Sequence, residues 1–450
     1  MVLFSKIRVI IMNDDLTSSR PQRTRAYLIF LFIFMMLYEF MDSYTTSYYT
    51  SVVSYIQADL QINDSTFYLV QAIASVGLLL VVFVQNLADR VGRKPMMIVV
   101  FFGMGLASLI MHLSKGVVLF TVGFLLSWIF FSSDIWVIIV SEEAPAKKRG
   151  RYSYLIAVVG ALGAIAIPVC RTIFVGDVSP LVDPSVWRGM NYLAFFAMGF
   201  ALMGFGMKET DAFLLKKENT LSLRSDEKKN ARSKLSLPFK QKESRKRVIA
   251  FMIIGFLLGM MAAVISTFED YLTTTIVTNF GGDPSQVTTV IYVATLGTFV
   301  FFGITGFLAD KLGRKPTMYL YAAMNLIFFA VMALTANIFA SNSLFWIFSI
   351  FGFFMNGSFW GMFMLSKTFC VENFPTEMRG TATGWRSLFY AVGLILGSLA
   401  SSFLVSLIEL QYLFLLASGV TCIGVCVLTS GFLPETKAIN IIDTPINETA

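Results

Sequence analysis

Five carboxylic acids lie inside otherwise apolar runs of this chain: Glu39 and Asp42, Asp134, and the adjacent Glu269 and Asp270. A charge near the middle of a bilayer costs on the order of 2.5–3.5 kcal/mol on insertion scales, so an acid there is a functional candidate by default. A carboxyl group in low dielectric beside a second acid can gain and lose a proton near neutral pH, the physical requirement for proton coupling. Asp42 ranks first in this role, followed by Glu39, Asp134, Asp270 and Glu269. The plainer alternative for each is an acid capped by a neighbouring Tyr, Thr or Lys that fixes helix packing. Glu39, Asp42, Thr46 and Tyr49 follow one another at 3,4,3 spacing, which puts all four on one helical stripe. Glu269 and Asp270 point about 100° apart on an unbroken helix, so only one of them faces a shared cavity unless the helix breaks. Among the bases, Arg171 sits near the end of its run and is expected to snorkel. Lys367 and Arg386 each lie roughly 7–9 Å inside the apolar layer, where they meet either an acid or a solute carboxylate. Tyr49, Trp136, Tyr292, Asn356 and Trp360, with Arg386, are candidate cavity-lining groups, against the commoner use of aromatics as packing.

The segments that carry these residues are membrane spans. Hydrophobic residues make up 56% of the chain and charged residues 14%, against about 25% charged in soluble domains, and mean hydropathy is +0.71. Spanning the hydrocarbon takes about 20 apolar residues as helix. Runs of that length number twelve, the first at 27–50, the seventh at 248–278 and the last at 411–433. The one long polar stretch, 208–247, is a basic linker with a surface helix expected near its end. Lys and Arg gather in the tail before residue 27, in the linker and in alternate loops, while only Lys115, Arg171 and Arg188 fall on the other side. The positive-inside rule then puts both termini and the linker in the cytoplasm. The net charge of +7 follows from this bias and is not a nucleic-acid footprint. The 4 cysteines all fall in apolar runs and there is 1 histidine, which supports no disulfide framework, metal site or cofactor. No cleavable leader is expected, and Met12-Asn-Asp-Asp is an alternative start.

The chain is written twice. Leu87-Ala-Asp-Arg-Val-Gly-Arg-Lys-Pro95 returns as Leu308-Ala-Asp-Lys-Leu-Gly-Arg-Lys-Pro316, and Glu142-x-x-Pro-x-x-x-Arg149-Gly as Glu372-x-x-Pro-x-x-x-Arg379-Gly. Lys208-Glu-Thr210 against Pro434-Glu-Thr436 is a weaker third pair at nearly the same offset. Asp89 and Asp310 are placed to accept from the exposed amides of a neighbouring helix N-terminus. Arg93 and Arg314 are placed to reach Glu142 and Glu372. With Arg149 and Arg379 these residues form a candidate cytoplasmic gate, expected to close when the helix ends come together. The alternative is ordinary turns whose charges serve topology.

These two repeated motifs resemble the major facilitator superfamily over the full set of spans. The resemblance implies an all-α membrane fold of twelve helices in two six-helix bundles related by a pseudo-twofold axis, with one central site and alternating access. The corresponding division is a tail at 1–26, bundles at 27–207 and 248–434, the linker at 208–247 and a tail at 435–450. One departure is Gln85, which stands where the family's loop opens with Gly; Gly306 fits. Glu39-x-x-Asp42 resembles the acidic pair of aromatic-acid and related metabolite–proton symporters. The glutamines that sugar porters carry in span seven are missing from 248–278, although Pro434-Glu-Thr-Lys437 is similar to their ending. Gly160, Gly163 and Pro168 do not match the drug-exporter pattern of span five.

The expected function is therefore secondary active transport of a small polar organic solute, with proton symport. The alternatives are a sugar porter or uniporter, then a multidrug exporter or a non-transporting receptor. The partners are the solute, protons and the bilayer of the cell membrane, with no nucleic acid, and the chain is expected to act as a monomer and not as an enzyme. Five intramembrane acids suit a cationic solute as readily as they suit proton carriers for an anion.

Overall fold

The computed structural model describes residues 23–130, 135–143, 149–211, 213–214, 237–335, 341–374 and 376–436. The first bundle contains α1 (Arg25–Thr45), α2 (Val53–Leu60), α3 (Asp64–Ser75), α4 (Gly77–Val91), α5 (Arg93–Leu113), α6 (Val117–Phe130), α7 (Ile135–Glu143), α8 (Arg149–Phe174) and α9 (Asn191–Ala201). The second contains α10 (Lys242–Ile265), α11 (Phe268–Leu272), α12 (Pro284–Leu312), α13 (Arg314–Thr335), α14 (Ser341–Glu372), α15 (Thr376–Leu404) and α16 (Leu410–Phe432). Among the described residues, 9 helices are long and apolar enough to cross a membrane. Three shorter apolar helices, Asp64–Leu80, Val117–Phe130 and Val158–Phe174, fall in the three remaining apolar runs.

Spans one and seven each break at the equivalent place, and the side chains explain why. Short hydroxyl side chains compete for backbone acceptors and favour turns over continued helix. The Thr46 hydroxyl donates to the Asp42 carbonyl at 2.6 Å, and those of Thr50 and Ser51 donate to the carbonyls of Ser47 and Tyr48, both at 2.7 Å. The chain leaves α1 at Thr45, makes a tight turn at Tyr48–Ser51, and restarts as α2. Tyr49 therefore lies in a turn and not on the helical stripe of Glu39 and Asp42; it packs edge-on against Phe124 at 4.5 Å. In span seven the Ser266 and Thr267 hydroxyls donate to Ala263 and Val264 carbonyls at 2.7 and 3.0 Å, and α10 stops at Ile265. After α11 the backbone widens into a π-helical stretch, Thr273–Asn279.

Close helix approach is set by glycine. Without a driving force for apolar burial in lipid, membrane helices associate where small residues let backbones meet. Gly255 and Gly259 of α10 lie against the carbonyls of Arg386 and Tyr390, while Gly393 and Gly397 of α15 lie against the backbone of Phe256 and Met260. In the first bundle Gly163 meets the Phe40 carbonyl and Gly160 faces Glu39, whose Cγ would sit 2.6 Å from an added Cβ. These contacts fix the rotation of α1 and α15, and so the direction of their charged side chains.

The buried apolar residues show how the bundles meet. One cluster, beside the face that carries the repeated loops, is built from the first bundle alone, around Phe34, Met97, Phe101 and Ile139. The cluster at the opposite end, around Tyr48, Tyr55, Phe124 and Trp187, takes in Ala263 and Leu394 of the second bundle. The second bundle's own core incorporates Tyr68 of α3.

Replacing Gly393 by Leu is expected to cost about 1–3 kcal/mol through overpacking and to lower the thermal unfolding midpoint in detergent. Gly384→Leu, on the same helix with nothing within 4 Å of its Cβ, is expected to leave the midpoint unchanged. Equal shifts for the two variants would contradict the glycine packing.

Candidate functional site

On the face with the repeated loops, each loop turns at a glycine in a left-handed conformation, Gly92 at φ 129° and Gly313 at φ 111°. The amides exposed just beyond these turns are capped by glutamates from the third, weakest repeat. Glu435 accepts from the Arg314 and Lys315 amides at 2.8 and 2.9 Å, and Glu209 accepts from the Arg93 and Lys94 amides at 2.9 and 3.3 Å. The sequence assigned this task to Asp89 and Asp310. In the second copy the structure gives it to Glu435, because the turn brings the start of α13 under residue 435 while Asp310 stays at the rim, its side chain 74% exposed; in the first copy Glu209 caps the amides.

Arg314 ties the second bundle's loop together. It donates through Nε and Nη2 to the two carboxylate oxygens of Glu372 at 2.8 and 2.7 Å, and its Nη1 lies 3.0 Å from Asp310. The Thr436 hydroxyl donates to Glu372 at 2.6 Å. Bidentate charge-assisted pairs of this kind are geometrically specific and roughly twice as strong as neutral hydrogen bonds. All these residues belong to one bundle or the segment that follows it, so in this conformation they brace a bundle and do not bridge two. In the first bundle Arg23 occupies a comparable position, donating to both oxygens of Glu143 at 3.0 and 3.3 Å and pairing with Asp211 at 3.1 Å. The Arg93 guanidinium lies over Phe213 at 5.0 Å. Asp134 and the side chains of Asp89, Glu142, Arg149 and Arg379 lie outside the described residues.

At the opposite face the bundles are joined by a cluster of buried polar contacts. Glu269 accepts from the amide and hydroxyl of Ser54, both at 3.0 Å, and from Thr273 at 2.9 Å. It also pairs with Arg171 at 3.1 Å, with both side chains 1% exposed. Arg171 further donates to the Thr288 hydroxyl at 3.0 Å and to the Ser51 carbonyl, with its guanidinium 5.2 Å over the Tyr55 ring. The expectation that Arg171 snorkels to the surface is therefore corrected: a buried carboxylate from the other bundle holds it inside. Tyr68 to Thr267 (2.6 Å), Ser266 to Gln71 (3.0 Å), Ser65 to Ser402 (3.1 Å) and Thr172 to Tyr292 (3.2 Å) complete the seam.

Glu269 faces the first bundle from α11, the short helix Phe268–Leu272 that also carries Asp270. Asp64, at the start of α3, is an acidic neighbour of Asp270, and Gln57 donates to Asp64 at 2.7 Å. Asp64 was not singled out in the sequence because it lies just outside an apolar run. In span one, Glu39 is half-buried against Gly160, and Asp42 is 8% exposed. Among the expected cavity residues, Asn356 is committed to Ala294 and Thr298 of α12 at 3.1 and 2.8 Å. Trp136 packs into the first bundle's core, and Tyr292 lines an apolar groove of ≈ 190 Å³ with Ile165 and Pro168. Trp360 stacks edge-on with Phe363, whose ring also meets Tyr390 at 5.0 Å. Arg386 is buried beside them.

A family model described as Major Facilitator Superfamily matches residues 28–366 and 271–446. The chain belongs to the major facilitator superfamily. It is a secondary transporter and not an enzyme, a multi-pass membrane protein that moves small-molecule solutes. It is 23% identical to the glucose transporter GlcP of Staphylococcus epidermidis over 92% of this chain and 95% of that one. It is 27% identical to the cis,cis-muconate transport protein of Acinetobacter baylyi over 45% of this chain and 46% of the other. Its fold matches a D-xylose-proton symporter with TM-score 0.70 at 17% identity, covering 91% of this chain and 99% of the other. The same fold appears in the nucleoside transporter NupG, with TM-score 0.69 at 14% identity over 89% and 99% of the chains.

Removing the glutamate cap exposes the loop amides, at a net cost of about 1 kcal/mol for the lost bonds. Glu435→Ala is expected to speed hydrogen exchange at Arg314 and Lys315 about fivefold, while Asp310→Asn leaves those amides unchanged. Acceleration by Asp310→Asn alone would return the cap to the aspartate.

Proposed function

We propose that this facilitator is a proton-coupled symporter of a small polar organic solute, set in the cell membrane with both termini and the repeated loops facing the cytoplasm. The orientation rests on Arg23, Lys94, Lys208, Arg314 and Lys315 at one face, against a seam face that carries Asp59, Asp64, Asp183, Asp283 and Glu409. In that orientation the seam closes the outer side and the conformation faces inward. The tails at 1–26 and 435–450, the linker at 208–247 and the bundles at 27–207 and 248–434 form the corresponding division of the chain.

The observation that carries the coupling is the buried acid Glu269 at the seam between the two bundles, bonded to Ser54 and Arg171 of the first bundle, with Asp270 next to it in the chain and Asp64 close by. Acids gathered at one seam repel one another when all are ionised, and a proton taken up there relieves that repulsion. Glu269 beside Asp270 adds a further negative charge, and Arg171 is already committed to Glu269. A proton loaded from outside thus favours closing the outer seam. Its loss to the inside, by way of Asp42 and Glu39 in span one and Asp134, leaves like charges that reopen it. Such a cycle moves solute down the proton gradient. The repeated loops, through Arg314, Glu372 and Asp310 and their first-bundle counterparts, keep each bundle rigid while the pair rocks.

Cells expressing the protein are expected to alkalinise a weakly buffered medium when a transported solute is added, tested with D-glucose, cis,cis-muconate and benzoate in turn. Asp270→Asn is expected to abolish proton-driven accumulation while sparing solute exchange. Accumulation of a solute without proton movement would overturn the symport reading. The same panel separates a neutral sugar, the cargo of the relative GlcP, from a carboxylate, the cargo of the muconate relative.

A further inference from the structure

We propose that Arg386 anchors the carboxylate of an organic acid, making the solute of this transporter an anion with a flat, unsaturated body. The inference rests on the transporter reading and goes beyond it by naming the substrate class.

Among the described residues, two arginines are fully buried inside the spans, Arg171 and Arg386, each 1% exposed. Arg171 shows how the fold neutralises such a charge: Glu269 pairs with it directly. Arg386 has no carboxylate partner among the described residues. Its Nε and Nη2 donate to the Ser366 hydroxyl at 3.0 and 2.6 Å, and Nη2 reaches the Phe363 carbonyl at 3.3 Å. Nη1 makes none of these bonds. A buried cation left without an anion is strongly unfavourable, and proteins keep one where a ligand supplies the missing charge. Glu372, further along the same helix as Ser366, is committed to Arg314 and Thr436.

The surroundings specify what the anion is attached to. The Arg386 guanidinium lies 5.0 Å from the Phe363 ring centre, and the Lys367 ammonium lies 4.8 Å from the same ring. Two cations against one phenyl ring create a local positive potential. Phe363 continues into Trp360 at 5.5 Å and Tyr390 at 5.0 Å, an aromatic wall beside the charge. Leu394, about two turns beyond Arg386, belongs to the buried cluster of first-bundle residues that contains Tyr49, so α15 borders the interface between bundles. Gly255 and Gly259 lock the α15 backbone in that rotation. A planar guanidinium beside aromatic faces suits a carboxylate on a conjugated or aromatic frame, by bidentate hydrogen bonding and stacking. A sugar offers neither the charge nor the flat face.

The test is equilibrium binding to the purified, full-length protein in detergent, read by tryptophan fluorescence with no gradient present. Its outcome is thus independent of proton coupling. Benzoate and cis,cis-muconate are the anionic probes, and benzamide, D-glucose and sodium chloride are the controls. The two carboxylates are expected to bind at least about tenfold more tightly than any control. Arg386→Gln is expected to abolish that preference and Arg386→Lys to retain part of it. Arg386→Gln is also expected to hold or raise the thermal unfolding midpoint, since it removes an uncompensated buried charge. Overturning results are binding of neither carboxylate, equal binding by wild type and Arg386→Gln, chloride competing as well as benzoate, or a lowered midpoint in Arg386→Gln.

Discussion

The conformation depends on a buried ion pair that spans two bundles. Arg171 and Glu269 come from different halves of the chain, meet at 3.1 Å and are almost wholly removed from solvent. A pair buried this deeply gains little over an apolar contact when intact, but breaking it by removing one partner costs about 3–5 kcal/mol, because a naked charge stays behind. Shifting a two-state equilibrium from almost all one state to almost all the other takes about 5.5 kcal/mol. The pair is therefore of the right size to govern which face is closed. Ser54, Thr273, Thr288 and the Ser51 carbonyl satisfy its remaining hydrogen-bonding atoms, so the closed seam leaves neither charge dependent on water.

The duplicated plan explains why the seam can exist. Spans one and seven break at matching serines and threonines, and only those breaks allow Ser54 and Glu269 to approach one another end-on. At the other face the same duplication yields two glutamate-capped loops, at Glu209 and Glu435, each tying its bundle to the segment that leaves it. Among the described residues, one face is thus built from contacts within bundles and the other from contacts between them. That division is what a rocking motion about a central site requires: rigid halves and a seam that can part.

Much of this was legible in the residues. The apolar runs, the paired Asp-x-x-x-Arg loops and the Glu-x-x-Pro-x-x-x-Arg-Gly segments sufficed for the fold and the family, because hydropathy and repetition are one-dimensional signals. The partners of charged groups were not legible. Arg171 looked like a surface-seeking side chain because its acid lies almost a hundred residues away in the other bundle. Asp64 escaped notice because it caps a span from outside the apolar run. Glu209 and Glu435 stood in the faintest repeat, and only the folded turn reveals that they accept from the loop amides. The stripe through Glu39, Asp42 and Tyr49 failed at Thr46, where hydroxyl groups broke a helix that spacing alone would continue.

The measurement that bears most directly on this account is the distance between spin labels at the exposed positions Leu181 and Leu407, one on each bundle at the seam face, with and without Glu269→Gln. With Glu269 intact the labels should give one short, narrow distance distribution. Glu269→Gln leaves Arg171 uncompensated and should add a longer-distance population as the seam parts and the guanidinium hydrates. Identical distributions for the two proteins would show that the ion pair does not hold the bundles together.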